Sequence, residues 1–270
     1  MPTYLLIDLS YAIFYRFFAT KMWYSLKYPE EKEDFHSYNW IENPVFVEMF
    51  EKKFFDSFYY FIQKHKISHE NIIMVRDCPR SNIWRNQHIN KYKSNRPQFE
   101  GGEFFKLVYN KILPSLLNDN KIKCVLKYDE LEADDVIALT KKYLQDKYKD
   151  CKIVIITSDH DLLQLIDENT TLYSLKKKCL NDKSTGNRFT DLHLKILCGD
   201  KSDNIEGCIP KCGEKTAMKF IKDRKKLGEK LMSDSEIMNK YIENRLIIDF
   251  DNIPHYLQYQ CTEYINDFNL

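Results

Sequence analysis

No apolar run in this 270-residue sequence approaches the roughly 20 residues needed to span a bilayer. The strand-like runs YLLI, NIIMV and KIVIIT are all short, so no association with a membrane is expected. The start, MPTYLLIDLS, has neither the basic stretch nor the small-residue cleavage site of a signal peptide, and a cytoplasmic location is expected. No Walker-type or GxGxxG loop is present, which argues against a P-loop nucleotide hydrolase or a dinucleotide enzyme. No Ser/His/Asp or Cys/His arrangement suggests nucleophilic catalysis. Cys208 and Cys212 have CxxxC spacing, but no second CxxC or His pair follows at zinc-finger distance. The eight cysteines therefore read as reduced thiols. Internal repeats and low-complexity tracts are also absent. The formal net charge is only +1, so the overall balance does not announce a partner.

The distribution of charge is more informative than its sum. From Arg76 to Arg96 there are six Lys/Arg and one acid, Asp77. From Lys211 to Lys230 there are eight Lys/Arg against Glu214, Asp223 and Glu229. Such stripes suit a polyanion gripped by its backbone. Hydrophobic residues make up 43% and charged residues 30%, enough for a sizeable core beneath a soluble surface. The length suits one large domain, or one domain with an appendage.

Short apolar strands alternate with helical patterns. Residues 4–9, NIIMV, KIKCVLK, KIVIIT and TTLYSL read as strands. Lys21 to Asn43 reads as a loop insertion. Pro44 is placed to open a long helix carrying Val45, Met49, Phe50, Phe54, Phe58, Phe61 and Ile62. Gly101-Gly102 permits a sharp turn or hinge, and a helix is expected over Phe104–Leu117, shortened by Pro114. The alternation implies an α/β fold with a mostly parallel central sheet flanked by helices. From Asp191 onward the pattern is helical. The KKK run at 176–178 reads as a solvated loop.

Nine carboxylates stand at the ends of these elements: Asp8, Asp77, Glu132, Asp134, Asp135, Asp159, Asp161, Asp200 and Asp203. Singly, each has an ordinary explanation as an N-cap, a turn former or a first-turn acid. Together they fall where sites form in such sheets, outside the carboxyl ends of the strands. Crowded like charges repel, and divalent cations remove that cost. An all-oxygen donor set favours Mg²⁺ or Mn²⁺. The commonest use of two such ions is in-line phosphodiester hydrolysis. Beside the acids, IWRNQHINKYKSNR offers Arg85, Lys91, Lys93 and Arg96 to phosphates and Tyr92 as a face for a base. GCIPKCGEKTA places Gly207, Lys211, Gly213, Lys215 and Thr216 at a helix N-terminus, where anions bind. His160, between two acids, reads as a packing residue.

In this order, Asp8, Asp77 with YKSNR downstream, ELEADD, TSDHDLLQL and GDKSDNI with its glycine-punctuated turn resemble the 5′-nuclease family. That family includes flap endonucleases and the 5′-nuclease domain of bacterial DNA polymerase I. The resemblance covers roughly residues 4–250. It implies a PIN-like catalytic core over 1–190, with a helical arch at about 80–105. It also implies a duplex-binding region over 191–270, with a helix–three-turn–helix at about 199–222. Asp8, Asp77, Glu132, Asp134 and Asp159 match a first metal cluster. Asp161, Asp200 and Asp203 match a second, with Asp135 between or supporting. Lys93 and Arg85 match catalytic cations at the base of the arch, and Tyr92 an aromatic beside the DNA end. The turn usually reads G-[IV]-x-G-[IV]-G in bacterial members; here it is GCIPKCG.

The implied protein is a monomeric 5′-3′ exonuclease and 5′ flap endonuclease of a bacterial or phage-infected cell. It would use two Mg²⁺ ions, with Mn²⁺ substituting, and hold K⁺ in the helical turn. Its substrates would be DNA with 5′ flaps, nicks or ends, and RNA primers in RNA–DNA hybrid. A sliding clamp and a single-strand-binding protein are the expected partners. The alternatives are a PIN-type ribonuclease, and a structure-specific DNA-binding protein without catalysis.

Overall fold

The computed structural model describes residues 1–34, 38–89 and 92–270. Its centre is a five-stranded sheet of β1 (Thr3–Asp8), β2 (Ile72–Val75), β3 (Cys124–Leu126), β4 (Lys152–Ile156) and β5 (Thr170–Tyr173). The order is β3-β2-β1-β4-β5, and every neighbouring pair is parallel. Alternation along β1 sends Leu5 and Ile7 to one core and Tyr4 and Leu6 to the other, so both faces are apolar and both are covered.

On the first face lie α1 (Leu9–Lys27), α2 (Pro44–Phe54) and α3 (Tyr59–His65). Asp8 opens α1 by accepting the Tyr11 N–H at 3.0 Å. The helix continues through Lys21–Lys27, which the sequence suggested was loop. Buried Tyr24 holds those turns down, with its ring 5.6 Å from that of Trp40. Pro44 opens α2 with Asn43 as its cap, as its position suggested. The expected long helix is instead three pieces, since a 3₁₀ turn at Phe55–Phe58 separates α2 from α3. The inward face carries Phe46, Phe50, Phe54, Phe58 and Phe61, while Val45 points out.

After β2 the chain forms short 3₁₀ turns at Arg80–Asn82 and Trp84–Gln87. Among the described residues it has no α-helix before α4 (Glu103–Leu107). The arch region is thus turns and irregular chain, not one helix. Its buried apolar side chains are divided between two clusters, Ile83, Ile89 and Tyr92 with Leu192, Ile196 and Ile247, and Trp84 with Leu6 and Val75, so they do not form one helical stripe. A π-helical turn at Val108–Ile112 then leads to α5 (Leu113–Asn118). Pro114 has no N–H to give to that turn, which suits the wider spacing.

The second face carries α6 (Ala133–Lys147). Beyond β5 come α7 (Arg188–Cys198), a small antiparallel hairpin of β6 (Gly199–Asp200) and β7 (Ile205–Glu206), then α8 (Glu214–Lys222), α9 (Arg224–Met232) and α10 (Ser235–Ile248). The last helix, α11 (His255–Asn266), returns to the core, burying Leu257, Cys261 and Ile265 against the sheet beside α6. The helical region outside the core therefore ends near Ile248 and does not run to Leu270.

Gly101 matters for packing more than for its backbone. A Cβ there would lie 2.6 Å from ring atoms of both Phe17 and Phe99, and Phe17 is fully buried. At Gly102 the nearest atom would be 3.5 Å away. Gly101→Ala should lower the free energy of unfolding by about 1–3 kcal/mol, as overpacking does. Gly102→Ala, at the start of α4, should leave it unchanged or slightly higher. Urea unfolding of the two variants checks the contrast.

Candidate active site

The four acids Asp8, Asp77, Asp134 and Asp159 line a cleft of about 1730 Å³ at the carboxyl edge of the sheet, together with Glu132 and Asp200 of the nine. Asp8 ends β1, Asp77 follows β2, Asp159 follows β4 and Asp134 lies in the first turn of α6. Asp77 ties two helix starts together, accepting from Ser10 Oγ at 2.5 Å and from the Ala133 N–H at 2.8 Å. Asp8 also accepts from Thr157 Oγ1 at 3.1 Å. Among the described residues, none of the four makes an ion pair with a cation. Burial, followed by the charges of Asp77 and Asp159, pushes the Asp8 carboxyl up to about 7. Burial and the charges of Asp159 and Asp8 hold Asp134 well above the ordinary carboxylate range.

The remaining acids are already neutralised by the protein's own cations. Glu132 accepts from Lys93 Nζ at 2.6 Å, Arg85 Nη1 at 3.0 Å and Tyr92 Oη at 2.9 Å. Burial alone would raise its carboxyl, but Lys93 and Arg85 outweigh burial and hold it low. Asp203 meets Arg96 Nη2 at 2.5 Å and Lys93 Nζ at 3.4 Å. Lys195, near the end of α7, lies between Asp161 and Asp200, pairing with both. Against the opposing effect of burial, Lys195 and Ser202 pull Asp200 down to about 2. Sequence reasoning missed Lys195. Its signal was a single charge inside the apolar run LKILC, just before Gly199 and Asp200.

Two of the expected residues occupy different roles. Asp135 has 0% exposure. Its two oxygens take Arg85 Nη1 and Nη2 at 2.7 Å each, Trp84 Nε1 at 3.2 Å and the Glu132 N–H at 3.1 Å. With those bonds in place it has nothing to offer a metal, and it does not line the cleft. Arg85 is equally buried and also donates from Nε to the Ile247 carbonyl at 2.8 Å. It joins the start of α6 to the end of α10 and does not reach a substrate. Breaking such a buried pair from one side costs about 3–5 kcal/mol.

Lys93 is 7% exposed yet lines the cleft, on a left-handed backbone with φ 52°. Arg96 lines it as well. Tyr92 is buried, with its hydroxyl on Glu132 and Asp203, so its ring is not a free stacking face. The expectation for Lys91 lies outside the described residues. His160 is exposed, not packed, and its Nε2 lies 2.9 Å from Lys183 Nζ. Gly207 serves a close approach of backbones, since a Cβ there would lie 2.7 Å from the Cys198 carbonyl oxygen. Lys211, Gly213, Lys215 and Thr216 are exposed around the start of α8.

The carboxylates of Asp8, Asp77, Asp134 and Asp159, which have no cationic partner among the described residues, fit a hard divalent cation. Among the described residues, no three acid, His or Cys side chains already enclose a metal site. A cation held there would offset the burial and the repulsion that raise the Asp8 and Asp134 carboxyls. Asp161, Asp200 and Asp203 do not present such a set, because Lys195, Lys93 and Arg96 already fill it.

Mutually repelling acids facing a basic rim have a common use among enzymes, the metal-dependent cutting of a nucleic-acid backbone. Nuclease is the class this cleft defines. The sequence model "5′-3′ exonuclease, N-terminal resolvase-like domain" matches residues 3–190, and the chain belongs to the 5′-3′ exonuclease family. It is 30% identical over 234 residues to the ribonuclease H of Enterobacteria phage T4, covering 76% of this chain and 72% of that one. It is 32% identical over 208 residues to a 5′-3′ exonuclease of Mycoplasmopsis pulmonis, covering 70% and 65%. A 5′-3′ exonuclease of Buchnera aphidicola is 32% identical over 160 residues, 56% of this chain and 52% of its own length. The fold matches a phage T5 5′-exonuclease with divalent zinc bound, at a TM-score of 0.66 and 15% identity, covering 99% of this chain and 100% of that one. It also matches a phage T5 flap endonuclease in complex with DNA and metal ions, at 0.67 and 14%, covering 98% of each.

Asp8→Asn gives a pH test of this electrostatic picture. Asparagine mimics the protonated acid and caps a helix equally well. A carboxyl raised to about 7 in the fold costs no stability below its unfolded value near 4, and its full cost appears above 7. In EDTA, Asp8→Asn should match the parent at pH 4 and exceed it increasingly up to pH 7.5, by a few kcal/mol at most. Thermal unfolding across that range decides it, and a difference independent of pH would contradict the assignment.

Proposed function

We propose that this chain cleaves phosphodiesters near the 5′ ends of DNA flaps and nicked duplexes, and of RNA primers paired to DNA, with Mg²⁺ as its ordinary metal. The observation that carries this reading is the set of four acids at the sheet edge left without counter-ions, with Lys93 and Arg96 lining the same cleft. Asp8, Asp77, Asp134 and Asp159 would hold the metal. Divalent ions there would supply water activation and charge stabilisation for hydrolysis.

The chain's own residues supply position and charge. Lys93 sits at the mouth of the acid set, held by Glu132 and Asp203, where it can meet phosphate charge as it develops. Arg96 beside it offers a second donor. Arg85 and Asp135 hold the start of α6, and with it Asp134, in place. Beyond the cleft, Lys211, Lys215 and the exposed start of α8 would grip duplex phosphates without taking part in chemistry. We include a potassium ion in that turn, a monomeric state, and clamp and single-strand-binding partners in the proposal.

Cleavage of a 5′-labelled flap, a nicked duplex and an RNA–DNA hybrid, each with Mg²⁺ and with EDTA, tests the reading. All cutting should stop in EDTA. Asp159→Asn should reduce single-turnover cleavage by ~10²-fold or more, on the scale of losing one essential electrostatic group, while flap binding persists. Full activity in that variant would exclude Asp159 from the metal set.

The division of labour is tested separately. Replacing Lys211 and Lys215 together by alanine should weaken binding to flaps and nicked duplexes. The salt dependence should flatten by about one unit of slope for each lost phosphate contact. Cleavage of short single strands should be little altered. Equal losses on both substrate types would place this segment in the catalytic machinery or the fold.

A further inference from the structure

Both oxygens of Asp77 are oriented by the chain around them. Ser10 Oγ donates to Oδ2 at 2.5 Å, and the Ala133 N–H donates to Oδ1 at 2.8 Å. A carboxylate offers about four lone pairs, so one on each oxygen is left to meet a cation. The Ala133 N–H is fixed by α6. The Ser10 hydroxyl is a rotor, and its own backbone does not fix it. A serine in the first turn of a helix commonly bonds to its own helix. This one reaches across 67 positions of sequence to the carboxylate.

Two residues stand behind that hydroxyl. The Arg76 guanidinium carbon lies 3.5 Å from the centre of the Tyr109 ring. The same ring meets Phe105 edge-on, with 5.9 Å between centres. Tyr109 is half-buried and belongs to the π-helical turn at Val108–Ile112, a kind of turn frequent at functional sites. Burial pushes its phenol up to about 12, against the lowering effect of Arg76; the charge of Asp77 raises it further, and Ser10 is a hydrogen-bond partner. The phenol therefore keeps its proton. Ser10 has one proton, already given to Asp77, so toward Tyr109 it can only accept. Donation then runs one way, from Tyr109 to Ser10 to Asp77. Ser10 lines the cleft, whereas Arg76 and Tyr109 do not.

We propose that Ser10, set in place by Tyr109 and Arg76, is a positioning residue for Asp77. It fixes the rotation of the carboxylate so that the lone pairs not taken by Ser10 and Ala133 face the cation the cleft would hold. A carboxylate free to rotate would have to be ordered as the cation arrives, and affinity would fall by the free energy of that ordering. Hydrogen-bond partners of ligating carboxylates change metal affinity or activity by about 10–100-fold when they are removed. This role rests on the metal-nuclease reading of the cleft.

Whole-chain Ser10→Ala, Ser10→Thr and Tyr109→Phe are compared with the parent in two measurements. One is Mn²⁺ binding without nucleic acid, by isothermal titration calorimetry. The other is single-turnover cleavage of a 5′-labelled flap over a series of Mg²⁺ concentrations. Ser10→Ala should bind Mn²⁺ about tenfold more weakly and need about tenfold more Mg²⁺ for half its maximal rate. Its rate at saturating Mg²⁺ should change far less. Ser10→Thr keeps the hydroxyl and should restore both values. Tyr109→Phe keeps the ring and its stack on Arg76, and should shift both values in the same direction by less. A Ser10→Ala protein that loses stability in EDTA but keeps the parent's Mn²⁺ affinity and Mg²⁺ response would mark the bond as merely structural and overturn the proposal. So would a Ser10→Thr protein no better than Ser10→Ala. Should Ser10→Ala fail to fold, Tyr109→Phe decides, and the parent's Mn²⁺ affinity in it would overturn the role. A parent that binds no Mn²⁺ and cuts nothing would instead overturn the metal reading itself.

Discussion

Repulsion among carboxylates sets the terms for the rest of this molecule. Parallel strands deliver their carboxyl ends to one edge, and this sequence places acids at or just beyond three of them, β1, β2 and β4. The fold tolerates the crowding by two opposite means. At Glu132, Asp135, Asp161, Asp200 and Asp203 it threads lysine and arginine between the acids. At Asp8, Asp77, Asp134 and Asp159 it leaves the repulsion uncompensated, and Asp8 and Asp134, raised first by burial and then by these neighbouring charges, hold protons more tightly. The unresolved charge is what a divalent ion can neutralise, so the site's affinity for metal and its cost to stability have the same origin.

The compensating cations do more than cancel charge. Lys93 and Arg96 come from the irregular chain across the cleft mouth, and Asp203 from the hairpin loop beyond α7. Asn95 adds a bond to the Lys201 carbonyl at 2.8 Å. The chain over the cleft is thus fastened to the acids beneath it by the same groups that would engage a phosphate. A phosphate engaging Lys93 or Arg96 would compete with these contacts, so substrate binding would loosen the fastening.

Much of this was legible in the sequence. Five short apolar runs, three of them ending at or near acids, were enough to place the sheet, its parallel sense and the edge where the site forms. Pro44 and its neighbours marked a helix start correctly. The misreadings share a cause. Lys21–Lys27 reads as loop because its helical face is aromatic, and its partners Tyr38, Trp40 and Phe46 lie further along the chain. Asp135 reads like its neighbour Asp134, yet one helical position turns it inward onto Arg85. Tyr92 reads as a stacking face until burial claims its hydroxyl. The sequence pattern gives the residue types a site needs. It does not show which acid each cation selects, because all of those partners but Lys195 and Asp200 lie 34 to 110 positions apart.

The return of α11 to the sheet has a mechanical consequence. The helices from α7 to α10 leave the core after β5 and rejoin it at Phe250, where Gln164 bonds to the Ile248 carbonyl and to the Phe250 N–H. Arg85 adds a third anchor at Ile247. A segment pinned at both ends cannot swing as a tethered domain would. If it grips duplex while the acids cut, the distance between grip and cut is built in, and the protein works as a ruler with a fixed scale.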